Sequence, residues 1–281
     1  MSQRKRKMDW EFSFDRIGDR IGEMFDDSVD FSEIETYYFG EPLGEATSAR
    51  IKLGFALGTA NVVPLPDPDH LIEASVTTFG PVSFEVSGEQ EKSVRLEQRT
   101  GRRFGFSSLR HFGGLEEQLR WDIALTPQIP LHLEVTGGLG RANLDLSGLQ
   151  LAGLKVGAGV GKITITLPVT ETEYEVKVEA GVGKTHITVP EGAAVRLKVR
   201  GGVGATRISL PGNPALHVKA SSGLGGIHLP DHVIRVGGKD SLMNRNGVWE
   251  TADFQEAARP VVIDYQGGVG ALKIDSGPVM V

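Results

Sequence analysis

Between Val176 and Pro211 the chain reads VKVEAGVGKTHITVPEGAAVRLKVRGGVGATRISLP, a stretch in which apolar and polar positions alternate in short runs. In Val195-Arg196-Leu197-Lys198-Val199-Arg200 every second residue is apolar. That period places Val195, Leu197 and Val199 on one face of a strand and the basic residues on the other. Ile208 and Leu210 resume the inward face on a second strand, and Val203 is expected to lie inside the Gly-Val-Gly corner between the two. Pro190 and Pro211 end strands, because proline has no N–H to give to a ladder.

The corner recurs as Gly138-Leu139-Gly140, Gly159-Val160-Gly161, Gly181-Val182-Gly183, Gly202-Val203-Gly204, Gly223-Leu224-Gly225 and Gly268-Val269-Gly270. The last glycines of the first five copies are 21, 22, 21 and 21 residues apart. A fixed period of this size marks a repeat architecture, in which each unit buries its apolar face only by stacking on the next. The predicted fold is all-β: a right-handed single-stranded parallel β-helix, or solenoid, with rungs of about 21 residues and an N-terminal amphipathic helix. An antiparallel β-sandwich is the alternative. Gly140, Gly161, Gly183, Gly204, Gly225 and Gly270 are the structural corners, where the lack of a Cβ permits positive φ and close stacking.

Two segments divide the chain. Over residues 1–35, Trp10, Phe14, Ile17, Ile21 and Met24 recur at helical spacing behind the basic run Arg4 to Lys7. This helix is expected to cap the first rung or to touch a membrane surface, although Glu11, Asp15, Asp19 and Glu23 oppose anionic lipid. The solenoid is expected over 48–281. Gly80 and Gly101 are read as continuing the rungs after Gly58, Gly247 as continuing them after Gly225, and a loop insertion is placed near 238–258. Leu57-Gly58-Thr59-Ala60-Asn61-Val62-Val63 mirrors Leu139-Gly140-Arg141-Ala142-Asn143-Leu144-Asp145. Residues 101–117 mix arginines with phenylalanines and are read as a decorated loop.

Composition narrows the functional classes. A formal charge of -6 over 281 residues argues against nucleic acid as a partner. With no cysteine, disulfides and thiolate chemistry are excluded. No apolar run reaches the roughly 18 residues of a membrane span, and no apolar segment of a secretory leader follows the basic start. The expected location is cytoplasmic, with peripheral contact at the inner membrane surface through the N-terminal helix as the membrane route.

Candidate chemistry is sparse. Gly183-Lys184-Thr185 has the ending of a phosphate-binding loop, but Val178 stands where that motif needs glycine and a strand follows where it needs a helix. Lys162 holds the same place one rung earlier, so Lys184 is a repeat position. His228, Asp231 and His232 offer metal-ligand atoms across a turn, in numbers that chance supplies. Outward carboxylates at Glu134, Glu171, Glu173, Glu175 and Glu179 invite comparison with carbohydrate-active β-helix enzymes. Their interleaving with Arg196, Lys198, Arg200 and Lys219 is better explained by cross-strand ion pairs. No catalytic, cofactor or metal site is expected.

The phrases Trp121-Asp122-Ile123-Ala124-Leu125-Thr126-Pro127, Pro130-Leu131-His132-Leu133-Glu134-Val135 and Leu144-Asp145-Leu146-Ser147-Gly148-Leu149, together with the Gly-Val-Gly rungs, resemble the bacterial toast-rack family, related to LiaF-like cell-wall-stress proteins. The likeness runs from about Ser48 to Ile274. It implies a right-handed β-helix-like fold and a non-enzymatic part in envelope-stress sensing, often beside membrane segments, and it brings no catalytic residues. The expected function is a solenoid scaffold for a protein partner or self-association. The alternative is a carbohydrate-active enzyme using surface carboxylates.

Overall fold

A computed structural model describes residues 34–67, 69–99, 118–238, 240–241 and 244–277, and every regular element among them is a β-strand. In chain order these are β1 (Ile34–Pro42), β2 (Ser48–Pro64), β3 (His70–Phe79), β4 (Val82–Ser87), β5 (Glu91–Gln98), β6 (Arg120–Leu125), β7 (Leu131–Asp145), β8 (Leu151–Thr166) and β9 (Tyr174–Thr188). They continue as β10 (Val195–Pro211), β11 (Leu216–Leu224), β12 (Ile227–His228), β13 (Ile234–Gly237), β14 (Asp240–Ser241), β15 (Asn244–Glu250), β16 (Val261–Val269) and β17 (Leu272–Gly277). Trp10, Phe14, Ile17, Ile21 and Met24 of the expected helix lie outside the described residues. Ile34 and Glu35, the end of that expected segment, belong to β1.

The long strands β2 and β7 to β10 each carry a glycine corner near the middle, and they stack parallel and in register. Val195 of β10 lies beside Tyr174 of β9, and Ser209 beside Thr188. The same pairing joins β8 to β9 and β7 to β8, with one irregularity at Leu131/His132. Val195, Leu197 and Val199 before the corner and Ile208 and Leu210 after it are all buried, and they belong to one apolar core shared by both arms. Each such side chain contributes about 1.5–3 kcal/mol through removal from water.

Stacking this close depends on the corners. Gly140, Gly161, Gly183 and Gly204 have φ of +128°, +144°, +144° and +140°. A Cβ on Gly161, Gly183 or Gly204 would sit 1.8 Å from the carbonyl oxygen of the preceding corner glycine. A second file runs beside the first, where a Cβ on Gly181 or Gly202 would lie 2.1 or 2.2 Å from the carbonyl of Gly159 or Gly181. Both glycines of Gly181-Val182-Gly183 and of Gly202-Val203-Gly204 are therefore excluded from bearing a side chain by the backbone of the coil beneath.

Spatial order departs from chain order at both ends. β16 and β17 insert between β10 and the pair β11 and β12, so that Gly270 rests on Gly204, and Gly225 on Gly270. At the other end β2 lies beside β7, while β5 and β6 pair parallel with the outer edge of β2. The mirrored phrases at Leu57 and Leu139 are thus direct neighbours: Gly58 pairs with Gly140, and Asn143 donates to Asn61 at 2.9 Å.

The expected uniform solenoid is corrected here to a mostly parallel stack flanked by antiparallel strands. β3 runs antiparallel to β6 and β1, so Gly80 ends a strand in a turn, where an added Cβ would meet nothing within 4 Å. Gly101 lies outside the described residues. At the far end β15 pairs antiparallel with β11 and β13, which places Gly247 on a covering strand within the segment read as a loop. Further polar contacts tie these flanks to the stack. The nearly buried Lys92 meets Glu41 Oε1 at 2.5 Å and the Pro42 carbonyl at 2.7 Å, joining β1 to β5. Arg259 donates to the carbonyls of Gly192, Glu171 and Thr170, bridging two turns between successive coils.

Two stability measurements probe this arrangement. Gly204→Val is expected to cost on the order of 4 kcal/mol and about 10 °C in Tm, whereas exposed Lys219→Gln should change stability by no more than about 0.5 kcal/mol; equal melting temperatures would exclude the stacked corner. Lys92→Met is expected to lose about 3 kcal/mol by leaving Glu41 an unpaired, largely buried carboxylate, and adding Glu41→Leu should restore part of it in denaturant unfolding.

Candidate interaction surface

Once the corner backbone is held by two files of glycine, the residue between them has one direction left. Val203, expected inside, projects outward and is 40% exposed, as are Val160 at 37%, Val182 at 49%, Val269 at 48% and Leu224 at 62%. Register places Leu139, Val160, Val182, Val203, Val269 and Leu224 in consecutive contact positions. Leu57, at the β2 end, is buried and closes the file. The result is a single-file apolar ridge along one edge of the stack, about 24 Å from Leu139 to Leu224 at the ordinary strand spacing.

Two residues after each ridge residue comes the first outward position of the second arm. In register these are Arg141, Lys162, Lys184 and Ala205. The three cations are exposed, stand next to one another, and among the described residues form no ion pair. Farther along the same arm Arg207 and Lys273 both engage Asp275, at 2.7 and 2.9 Å. Burial, then the charges of Arg207 and Lys162, hold His186 below its ordinary pKa, so its ring favours the neutral form that faces Ser209 Oγ at 2.9 Å.

The first arm is organised differently. Its outward side chains pair, mostly across coils: Lys155 with Glu134 at 3.2 Å, Arg196 with Glu173 at 2.7 Å, Lys52 with Glu97 at 3.0 Å, and Glu175 with Lys198 on the next coil and with Lys177 on its own strand. Hydrogen bonds from Lys177 and Lys198 hold the Glu175 carboxyl below its ordinary range. That is the opposite of what a general acid needs. Glu171 lies exposed in the turn before β9, where its carbonyl accepts from Arg259. Each exposed pair is worth at most about 1 kcal/mol, so these ladders tune register and solubility more than stability.

The remaining sequence candidates are placed as follows. Gly183, Lys184 and Thr185 lie within strand β9, with Lys184 beside Lys162. His228 ends β12 while Asp231 and His232 occupy the turn after it, and the three do not converge. Among the described residues the group of metal-ligating side chains that does converge is Asp67, His70 and Glu73, within 4.8 Å of one another. It is already hydrogen-bonded as a turn: His70 Nδ1 lies 3.0 Å from Asp67, and the Asp69 N–H, then His70, keeps the Asp67 carboxyl below its usual value. The apolar ridge and Arg259 were missed by sequence reasoning. The repeated [Leu or Val]-Gly-[Arg or Lys] at Leu139, Val160 and Val182 was the signal available for the ridge.

The comparisons with known proteins bear on this geometry. The family model for the N-terminal domain of toast_rack, DUF2154, matches residues 26–188. No protein of curated function matches the chain. Among solved structures, a candidate cell adhesion protein from Clostridium sporogenes is similar at 19% identity and a TM-score of 0.58, over 87% of this chain and 100% of that one. Candidate adhesins from Bacteroides fragilis and Parabacteroides merdae are each 10% identical over 87% of this chain and cover 98% and 97% of their own, with TM-scores of 0.25 and 0.23. The match at residues 26–188 spans more than half of the 281 residues and takes in the glycine corners from Gly58 to Gly183, and the chain belongs to the toast-rack family.

Proposed function

We propose that the protein is a non-enzymatic solenoid scaffold, working by contact with a protein partner or with further copies of itself, in the bacterial envelope-stress response. The observation that carries the reading is the rigid backbone column itself, which holds the outward face of the first arm and the exposed file from Val160 to Leu224 in fixed register as contact surfaces. Rigid stacks of this kind present extended surfaces for recognition without a cleft for chemistry. The paired state of Glu134, Glu173 and Glu175 supports a structural use of the carboxylates over glycan cleavage. The fold is shared with a candidate cell adhesion protein, in keeping with a contact role.

The finer parts of this reading are a right-handed coil of about 21 residues per rung, a solenoid domain over 48–281, and a cytoplasmic setting at the inner membrane surface. Trp10, Phe14, Ile17, Ile21 and Met24 would serve there as cap or membrane contact. The proposal invokes neither cofactor nor nucleic acid.

The scaffold reading is tested with a photoreactive residue placed at Lys219 on the first arm or at Val182 on the ridge. Irradiation in cells is expected to yield protein adducts, or the purified chain to gain mass with concentration. A chain that stays monomeric and forms no protein adduct at either position would sink the scaffold. Glycan turnover that disappears in the triple variant Glu171→Gln, Glu173→Gln, Glu175→Gln, with folding intact, would replace it with the enzyme.

A further inference from the structure

The geometry points to a specific occupant for the ridge: we infer that the corner edge docks on an anionic lipid surface, with Val160, Val182, Val203, Val269 and Leu224 entering the headgroup boundary and Arg141, Lys162 and Lys184 binding lipid phosphates. The inference rests on the reading of the corner as a contact surface and names what it contacts.

Three observations carry it. The first is charge. On the first arm Lys155, Lys177 and Lys198 also stand side by side in register, but each is ion-paired, Lys155 with Glu134 and the other two with Glu175, and Arg196 pairs with Glu173. In the second-arm row nearest the ridge, Arg141, Lys162 and Lys184 are directly adjacent with no carboxylate among them. Like charges opposite one another on neighbouring strands are destabilising. An external anion offsets that repulsion, and the chain's net charge of -6 makes this basic row a local exception. On the other margin of the ridge Glu179 stands beside Arg200, so that flank adds no net charge.

Shape is the second observation. The apolar residues form a single file at the corner, with glycine backbone on either side. A rigid protein partner needs roughly 800 Å² from each side for a standard interface, more than one file of valines about 24 Å long offers. A lipid boundary is deformable and closes around a narrow edge, and apolar side chains flanked by lysine and arginine are the pattern that partitions there.

The third is what a second copy would meet. Docked ridge to ridge in the antiparallel sense, Arg141, Lys162 and Lys184 would face the small neutral end of the same row, at Ala205 and beyond. Docked in the parallel sense they would face the opposite margin of the second copy, where Glu179 stands beside Arg200. Neither arrangement supplies a row of anions to match the three cations.

The test is vesicle flotation of the full chain on phosphatidylcholine alone and on phosphatidylcholine with about a third phosphatidylglycerol. Binding is expected only to the anionic vesicles and should weaken with salt. The variant Arg141→Gln, Lys162→Gln, Lys184→Gln is expected to lose about 100-fold in partitioning, and Val160→Ser, Val182→Ser, Val203→Ser more than about 10-fold, both with parental melting temperatures. Failure of the parent to float, or unchanged flotation of both triple variants, would overturn the inference. So would flotation abolished by Trp10→Ser, Phe14→Ser but untouched by the ridge variants, which would assign binding to the N-terminal segment. A lipid-free dimer dissolved by the valine variant would assign the ridge to a second copy instead. Protein adducts from Lys219 are scored separately, so loss of lipid binding leaves the scaffold reading standing and the two failures are told apart.

Discussion

A carbonyl oxygen stands where a side chain would begin. In each successive coil the backbone of the corner passes so close to its neighbour that the space for a Cβ is already filled, at 1.8 Å for Gly161, Gly183 and Gly204. This contact sets the distance and the register between coils at one point, and the ladders on either side then follow. The core depends on it as well, since Val195, Leu197 and Val199 meet Ile208 and Leu210 over a common interior only if the chain turns sharply between them.

The same exclusion creates the surface. With both flanking positions closed to side chains, the middle residue of Gly-Val-Gly cannot turn inward without displacing backbone, and it projects to solvent. A steric rule for packing thereby writes an apolar line on the outside, one residue per coil. The first outward position beyond it is free of packing demands, and the cations at Arg141, Lys162 and Lys184 occupy it without paired carboxylates, in contrast to the balanced ladders of the first arm.

A stack of parallel coils leaves an open edge at each end, and an open edge pairs with whatever strand is at hand. Here antiparallel strands of the same chain occupy those edges: β3 beside β6, β4 beside β5, and β15 beside β11. The buried Lys92–Glu41 pair and the Arg259 clamp fasten the flanks through geometry that backbone pairing alone does not specify. A buried ion pair of this kind contributes more to the choice of one arrangement than to net stability.

Alternation in Val195 to Arg200 and the spacing of the corner glycines made the inward faces and the glycine column legible from the residues alone, because both follow from local sterics repeated at equal intervals. The likeness between the Leu57 and Leu139 phrases was legible too, but that the two coils lie side by side came from the structure, since spacing alone reads Gly80 and Gly101 as the rungs between them. What the residues left open was which coil lies on which. A Gly-Val-Gly corner fits against any other, so equal spacing is indifferent to order. Only the tertiary structure decided that Gly270 comes between Gly204 and Gly225, and that the strands after Gly80 and around Gly247 run antiparallel. The outward course of Val203 was hidden for a related reason. Strand parity resets at each positive-φ glycine, and the side of the sheet that follows is chosen by the neighbouring coil's backbone, a contact made far along the chain.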